Sequence, residues 1–208
     1  MKKILITGAS GFIGQSLIKS LFNSSRSVRG TIRSRNLFFS DAKTEYVFIG
    51  DINLKTNWRE SLINIDCIIH CAGKAHAIKS KKNNLSKIYQ SVNVDGTKQL
   101  AEQAAQAKVR RLIFLSSIKV NGEDTNNDII IKFLNEKKNV FSHKDLASPK
   151  DHYAISKLEA ENALWEISSR TGLEVVVVRL PLVYGYGAKG NLERLIKLVK
   201  SGIPLPLS

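Results

Sequence analysis

Two side chains that lie four positions apart have the chemistry for proton transfer. Tyr153 and Lys157 fall within a stretch of helical periodicity, so both lie on one face of the predicted helix. A phenol with an ordinary pKa of about 10 is a poor base at neutral pH. A neighbouring ammonium stabilises the phenolate and lowers that pKa. The spacing predicts a general acid/base pair, although Tyr-x-x-x-Lys alone is a weakly specific motif.

Two serines end an apolar run ahead of this helix. Ser116 and Ser117 follow Phe114 and Leu115. A hydroxyl at the carboxyl end of a strand can hydrogen-bond a reacting oxygen and orient it toward the phenol. We select Ser117 for this role and Ser116 as the second choice. The alternative for either serine is a simple turn at the end of a strand.

A glycine-rich turn near the N-terminus has the spacing of a phosphate-binding loop. Gly8 and Gly11 follow the strand-like run Lys3–Thr7, and Gly14 lies in the first turn of the helix-like stretch Phe12–Phe22. The first glycine permits a tight turn, the second a close approach of the backbone to a pyrophosphate, and the third close helix packing. Backbone N–H groups and the helix dipole then face the phosphates. The turn predicts dinucleotide binding, with a ligand-free structural turn as the alternative.

The end of the second strand-like run bears on the choice between the two nicotinamide dinucleotides. Val28–Ile32 is followed by Arg33 and Arg35 and by no carboxylate. An acidic residue there would bind the ribose of NAD, whereas guanidinium groups suit a 2′-phosphate. We therefore favour NADP over NAD, with two solvated arginines as the alternative. After the third run, Asp51 and Ile52 are placed for the adenine edge, unless they form a simple turn.

The scaffold that positions these residues is predicted from alternating strand-like and helix-like segments. The strand-like runs are continuously apolar, as in a parallel sheet that is buried on both faces. We predict an α/β fold with a Rossmann-type doubly wound parallel sheet and with ligands at the carboxyl ends of its strands. The predicted strands are Lys3–Thr7, Val28–Ile32, Tyr46–Ile49, Cys67–His70, Leu112–Ser116 and Glu174–Arg179. The predicted helices are Phe12–Phe22, Trp58–Ile63, Leu85–Ala107, Tyr153–Thr171 and a last one from Leu192 to Val199 that ends at Gly202.

Composition narrows the classes of function. The 208 residues are 43% hydrophobic, enough for a sizeable core, and no apolar run is long enough to span a membrane. The net charge of +14 suggests nucleic-acid binding as one function to consider. However, the 32 basic residues are scattered without an arginine-rich tract, so we expect no nucleic-acid partner. Cys67 and Cys71 match neither a redox pair nor a metal site. We expect a cytoplasmic protein with reduced thiols and no metal.

Seven motifs, in order along essentially the whole chain, resemble those of the extended short-chain dehydrogenases/reductases. Within that superfamily the chain resembles the NAD-dependent epimerase/dehydratase family, and in it the UDP-glucose 4-epimerase-like and nucleotide-sugar 4-ketoreductase-like members. The motifs are the glycine turn, Asp51–Ile52, His70–Gly73, Asn93–Thr97, Ser116–Ser117 with Val120–Gly122, the Tyr153/Lys157 pair, and Arg179–Gly185.

This resemblance implies a role for each matched residue. Tyr153 would be the acid/base, Lys157 its electrostatic partner and ribose ligand, and Ser117 the group that binds the substrate oxygen. The cofactor would contact Gly8, Ser10, Gly11, Phe12, Ile13, Gly14, Arg33, Arg35, Asp51, Ile52, Cys71, Ala72, Gly73, Asn93, Ser116, Tyr153, Lys157, Pro181 and Val183. The substrate would contact Ser117, Asn121 and Asn191.

The implied activity is NAD(P)-dependent oxidoreduction or epimerisation at C4 of a nucleotide-activated sugar, in the synthesis of surface-polysaccharide precursors. A homodimer formed through Leu85–Ala107 and Tyr153–Thr171 is also implied. Two alternatives remain open: an NADPH-dependent reductase of small carbonyl compounds, and a truncated or inactive cofactor-binding protein.

The resemblance also divides the chain. Residues 1–179 would form the Rossmann domain with the catalytic residues, and 180–208 would begin a smaller C-terminal substrate lobe. Complete relatives carry roughly another 100 residues, the size of a small domain, so we expect a truncated chain.

Overall fold

The protein contains a six-stranded, all-parallel sheet. The computed structural model describes residues 3–24, 26–34, 44–75, 82–125, 140–185, 187 and 197–202. The strands are β1 (Lys3–Thr7), β2 (Ser27–Ile32), β3 (Thr44–Phe48), β4 (Ile65–His70), β5 (Arg111–Ser117) and β6 (Glu174–Leu180). Their order in the sheet is β3-β2-β1-β4-β5-β6. The order reverses between β1 and β4, which is where doubly wound sheets bind ligands. The predicted Rossmann-type fold is confirmed.

Among the described residues, five α-helices lie between the strands. They are α1 (Phe12–Leu21), α2 (Arg59–Leu62), α3 (Lys82–Tyr89), α4 (Gly96–Gln106) and α5 (His152–Thr171). Asp151 begins α5, because its carboxylate accepts a hydrogen bond from the Ala154 N–H at 2.7 Å. Gly172 ends the helix in the left-handed conformation, with φ at +75°.

The predicted helix Leu85–Ala107 is confirmed, since the chain is helical without a gap from Lys82 to Gln106. Between α3 and α4, residues Gln90–Asp95 widen into a π-helical segment. This widening shifts the register of the side chains along the helix, and Asn93 within it is 1% exposed. Periodicity alone did not reveal the π-helical segment, because the apolar pattern resumes in α4.

The hydrophobic core lies on both faces of the sheet, as the continuous apolar strands predicted. Leu5 packs in one cluster with Trp58 and Phe114, beneath α4 and α5. Its neighbours Ile4 and Ile6 belong to a second cluster beneath α1. Successive residues of β1 thus enter opposite layers, which fixes the sheet between the helices.

The remaining differences from the predicted elements are small. Strand ends move by one or two residues, as for β3, which begins at Thr44 and ends at Phe48. The predicted last helix begins at Leu192, outside the described residues, while residues 197–200 are helical and Gly202 has φ at +69°. Within the described part of the chain, none of the helices has the length and apolarity to cross a bilayer.

Candidate active site

A cavity of about 300 Å³ opens at the carboxyl ends of β1, β2 and β4. Its walls come from the glycine turn, the end of β2, the segment after β3 and the segment after β4. Nine of the predicted cofactor residues line it: Gly8, Ser10, Gly11, Arg33, Asp51, Ile52, Cys71, Ala72 and Gly73. Phe12, Ile13 and Gly14 continue the turn into α1. The cavity therefore lies at the predicted dinucleotide position.

The glycine turn has a conformation that other residues would disturb. Gly8 has φ at +65°, and a Cβ there would lie 2.9 Å from the Ala72 Cα. A Cβ on Gly14 would lie 2.3 Å from the Gly8 carbonyl oxygen, so α1 packs directly on the turn. Gly11 is the N-cap of α1 and has no side chain to occupy the first N–H groups. The helix N-terminus faces the turn in the manner of an anion-binding site.

The glycine turn fits a dinucleotide, because Gly11 lines the cavity and leaves the first N–H groups of α1 without a side chain over them. Thr31 also lines the cavity and is 1% exposed. Its Oγ1 is buried with no hydrogen-bond partner among the described residues, and because it is inaccessible it identifies no ligand. The sequence analysis did not select Thr31, because one threonine in a strand carries no signal.

Arg33 and Asp51 form an exposed ion pair in the cavity wall. The Arg33 Nε lies 3.9 Å from the Asp51 Oδ1, with the two side chains 66% and 81% exposed. An exposed pair at this distance contributes little to stability, so both side chains are free to turn toward a ligand. Arg35, the second predicted phosphate ligand, lies outside the described residues.

Tyr153 lies close to Ser117, the serine selected from the sequence. Tyr153 lies in the first turn of α5 and is half-buried. Burial raises the pKa of its phenol above the usual value, and a hydrogen bond with Ser117 offsets part of this effect. The predicted lowering by Lys157 is wrong as a net direction, because desolvation outweighs the other influences on the phenol. The Lys157 ammonium donates instead to the Leu115 carbonyl oxygen, at 2.8 Å.

Lys157 lies deep between the cavity and the core. It is 5% exposed, and its Nζ is 4.4 Å from the centroid of the Phe114 ring. Burial lowers the pKa of Lys157 to about 8. Burial lowers the pKa of His70 to about 3 and raises that of Cys71 to about 12, so both are neutral at pH 7. His70 and Cys71 thus place no charge beside Lys157, and the Glu161 carboxylate is a charged group that offsets part of its desolvation.

Asn93 joins the cavity wall to α5. Its Oδ1 accepts the Lys74 backbone N–H at 2.8 Å, and its Nδ2 donates to the Lys74 carbonyl oxygen and to the Ser156 Oγ, each at 3.0 Å. A Cβ on Gly73 would lie 3.2 Å from the Asn93 Oδ1 and 3.6 Å from the Lys157 Nζ. Gly73 therefore brings the cavity wall and Lys157 close together.

The family model described as "NAD dependent epimerase/dehydratase family" matches residues 4–207. The chain belongs to this family. It is 38% identical to a UDP-glucose 4-epimerase of Vibrio cholerae, over 99% of this chain and 59% of that protein.

Two solved structures extend the comparison with the family. MoeE5 in complex with UDP-glucose and NAD has a TM-score of 0.77 at 29% identity, covering 98% of this chain and 62% of MoeE5. A UDP-glucuronic acid 4-epimerase from Bacillus cereus in complex with NAD has a TM-score of 0.79 at 26% identity, covering 98% and 64%. The chain therefore spans about three fifths of the length of these family members.

Ser116 and Asn121 are not brought to the cavity in this family member. Ser116 is 4% exposed and its hydroxyl donates to Glu161. Asn121 is 6% exposed; its Oδ1 accepts from Arg179 at 3.0 Å, and its Nδ2 donates to the Ser142 carbonyl oxygen at 3.1 Å. Both were predicted as ligand contacts, and both are engaged inside the protein.

The segment after β6 returns toward the glycine turn. Leu180, the last residue of β6, pairs with Ser117, so Pro181 directly follows the residue that pairs with Ser117. Val183 is 39% exposed, and a Cβ on Gly185 would lie 3.5 Å from the Phe12 ring. Pro181 and Val183 thus lie on the segment that leads from the end of β6 to Phe12. Asn191, the predicted substrate ligand, lies outside the described residues.

Proposed function

We propose that the chain binds a nicotinamide dinucleotide in the cavity and uses Tyr153, Ser117 and Lys157 to interconvert a hydroxyl and a keto group at C4 of a nucleotide-linked sugar. The observation that carries the proposal is the packing of the first turns of α5, with Tyr153 and Lys157, against the end of β5 that bears Ser117. The Lys157 Nζ donates to the Leu115 carbonyl oxygen at 2.8 Å and lies next to the cavity wall. The family relatives support the substrate class, since two of them are UDP-sugar 4-epimerases by name.

Ser117 orients the substrate oxygen, and Tyr153 with Lys157 carries out proton transfer. When bound, the cofactor takes and returns a hydride at the sugar carbon. The Ser117 hydroxyl donates to the substrate oxygen and orients it toward Tyr153. The Tyr153 oxygen takes the hydroxyl proton during oxidation and returns it during reduction. The Lys157 ammonium favours the phenolate at the moment of transfer, and Asn93 holds α5 against the cavity wall.

Epimerisation and net reduction use these same groups. Return of the hydride to the opposite face of the keto sugar inverts C4, and return from an exchangeable reduced cofactor yields a net 4-ketoreductase. We propose epimerisation as the main activity, in the synthesis of surface-polysaccharide precursors. Incubation with UDP-glucose or UDP-N-acetylglucosamine and NAD, followed by proton NMR of the sugars, tests this. Appearance of the C4 epimer is expected; its absence with every UDP-sugar, despite bound cofactor, would contradict the proposal.

For the cofactor, we propose that Arg33 lets the chain accept NADP as well as NAD, with NADP favoured. The support is a guanidinium at the cavity rim, where a 2′-phosphate would lie. Arg33→Ala is expected to raise the Kd for NADP about tenfold and to leave that for NAD within twofold. Arg59→Ala, an exposed arginine away from the cavity, is the control. An equal loss of affinity for NADP and NAD in Arg33→Ala would contradict a contact between Arg33 and the 2′-phosphate.

The chain divides into two regions at the end of β6. We propose that residues 1–179 are the cofactor domain and 180–208 begin the substrate lobe, since Leu182 and Tyr184 after β6 are 75% and 78% exposed. Limited proteolysis should cut after Leu180 first and leave the cofactor domain intact; early cuts within β1 to β5 would contradict this division.

We also propose a homodimer through α4 and α5, where Trp165 is 48% exposed. Light scattering should give twice the chain mass for the wild type and a monomer for Trp165→Glu. A monomeric wild type at micromolar concentration would contradict the homodimer.

We propose a cytoplasmic location. Free Cys67 and Cys71 support it, and fractionation of the source cells would test it.

A further inference from the structure

A buried ionic cluster lies behind the catalytic residues, and the proposed chemistry does not use it. Glu161 is 2% exposed and accepts hydrogen bonds from Arg179, whose Nη2 and Nε lie 2.6 Å and 3.1 Å from the two carboxylate oxygens. Arg179 also donates to Asn121, and Glu161 also accepts from Ser116. We propose that Glu161 and Arg179 are a positioning pair that fixes the Ser117 hydroxyl against Tyr153.

The contacts of β5 with α5 show how the pair reaches Ser117. Three consecutive residues at the end of β5 contact three residues on one face of α5. The Leu115 carbonyl oxygen accepts from Lys157, and the Ser116 hydroxyl donates to Glu161. The Ser117 hydroxyl lies near enough to Tyr153 to lower the pKa of the phenol against the effect of burial. The helix residues are one turn apart, so α5 clamps the strand end along its length.

Arg179 fixes the other side of Ser117. In the sheet Arg179 pairs with Ser116, which places its guanidinium between β5 and α5. Its Nη1 donates to the Asn121 Oδ1 at 3.0 Å, and the Asn121 N–H closes the turn that begins at Ser117 by donating to Ile118. The residue before Ser117 and the end of the turn after it are thus both bound to the Glu161–Arg179 pair.

A purely structural ion pair would not need this arrangement. Buried pairs are often replaceable by apolar residues without loss of stability, so burial alone does not explain the pair. Here Ser116, Asn121 and Glu161 lie within a few residues of Ser117 or Lys157, and Arg179 pairs with Ser116 in the sheet. A catalytic hydroxyl must be held within a fraction of an ångström, and a misplacement of about 1 Å can cost about 100-fold in rate.

The inference rests on the proposed function, and the experiment separates the two. Glu161→Gln removes the carboxylate charge, and Arg179→Lys keeps the charge but loses the paired geometry. The double variant Glu161→Gln/Arg179→Met leaves no unpaired buried charge, so it is the test if a single variant fails to fold. Glu159→Gln makes the same chemical change at an exposed site on α5 and is the control.

Two readouts are needed, one with turnover and one without. For the UDP-sugar reaction we expect kcat to fall about 100-fold in the Glu161 and Arg179 variants, with KM within threefold and the Glu159 control unchanged. Independently, ¹³Cζ-tyrosine labelling gives one NMR signal for each of the five tyrosines, and Tyr153→Phe identifies the Tyr153 signal. We expect that signal to move in the variants, because Ser117 no longer bonds the phenol, and to stay in the control. The Asp151 and Tyr89 groups that also face Tyr153 are unaltered.

The outcomes are distinguishable. A wild-type chain that binds cofactor but turns over no UDP-sugar overturns the proposed function, while the NMR signal still decides the positioning of Ser117. A folded Glu161→Gln or double variant with kcat within threefold of the wild type and an unmoved Tyr153 signal overturns the positioning pair.

Discussion

Two parts of the site are built in different ways. The cofactor part is the cavity at the carboxyl ends of β1, β2 and β4, and the catalytic part is the cluster where α5 meets the end of β5. The cofactor part is made mainly of backbone, with the glycine turn at its centre and exposed side chains such as Arg33 at its rim. The catalytic part is made of buried side chains: Lys157 and Glu161 are 5% and 2% exposed. Binding a dinucleotide needs only backbone shape and N–H groups, whereas proton transfer needs charges in a dry environment.

The two parts also differ in how far along the chain their contacts reach. The glycine turn lies within seven residues, from Gly8 to Gly14. The hydrogen bonds of the catalytic part join residues 42 apart in Lys157–Leu115, 45 apart in Ser116–Glu161 and 63 apart in Asn93–Ser156. The first part follows from local sequence, and the second exists only when the sheet is complete.

The largest effect is expected where the catalytic part alone is changed. Tyr153→Phe removes the proton-carrying oxygen, so kcat should fall about 1,000-fold or more. The Kd for the cofactor should stay within about twofold, because Tyr153 does not line the cavity. Steady-state kinetics and a fluorescence titration with NADH measure both. A parallel loss of cofactor affinity would show that the two parts are not separable.

The reverse experiment changes the cofactor part alone. Gly8→Ala introduces a Cβ 2.9 Å from the Ala72 backbone at φ +65°, and should raise the Kd for the cofactor at least about tenfold. Gly172→Ala is the matched control, since it has φ at +75° with nothing within 4 Å. That control should lose about 1 kcal/mol of unfolding free energy and keep its cofactor affinity. Equal cofactor Kd values in the two variants would contradict a role for the turn.

The cost of burying a charge in the catalytic part can be measured as a pH dependence. Burial lowers the pKa of Lys157 to about 8 from 10.5, so between these values the folded protein has released a proton that the unfolded chain keeps. Wild-type stability from this group therefore rises with pH in that window. Lys157→Met should be inactive yet more stable at pH 7, by up to about 3 kcal/mol, with the difference shrinking toward pH 10.

Urea unfolding at pH 7 and pH 10 measures this difference, with the exposed Lys144→Met as control. A Lys157→Met variant that is less stable than the wild type at pH 7 would mean that the hydrogen bond and the ring contact outweigh desolvation.

The smallest expected effect is at the start of α5. Asp151→Ala removes the hydrogen bond to the Ala154 N–H and the 2.7 Å contact with Lys119, and should cost about 1 kcal/mol of unfolding free energy. Because Tyr153 lies in the first turn, kcat should fall a few-fold as that turn frays. Asp151→Asn keeps a capping oxygen and should recover most of both losses. An Asp151→Ala variant with unchanged thermal unfolding and unchanged kcat would show that this N-cap supports neither the helix nor the site.

Sequence predicted the elements that depend on local physics. The glycine turn needs particular backbone conformations, and the strands need continuous apolar runs, so both can be identified from residue types alone. Tyr153, Lys157 and Ser117 were found because their spacing and their place after a strand are local as well. Their predicted roles remain proposals.

Sequence did not predict what depends on neighbours from distant segments. Ser116 and Asn121 were expected at the ligand, because nothing local shows that Glu161 and Arg179 occupy them. The raised pKa of Tyr153 reflects burial by the completed fold. Glu161 did have a signal, since it lies one turn beyond Lys157 on a buried helix face, where a charged residue requires a partner.

The most direct test is absorbance at 340 nm when UDP-glucose is added to the chain loaded with NAD. If Tyr153, Ser117 and Lys157 drive hydride transfer from C4, the wild type should show the band of reduced nicotinamide and Tyr153→Phe should not. Absence of the band in the wild type, at saturating UDP-glucose and with NAD binding verified, would contradict C4 oxidation at this site.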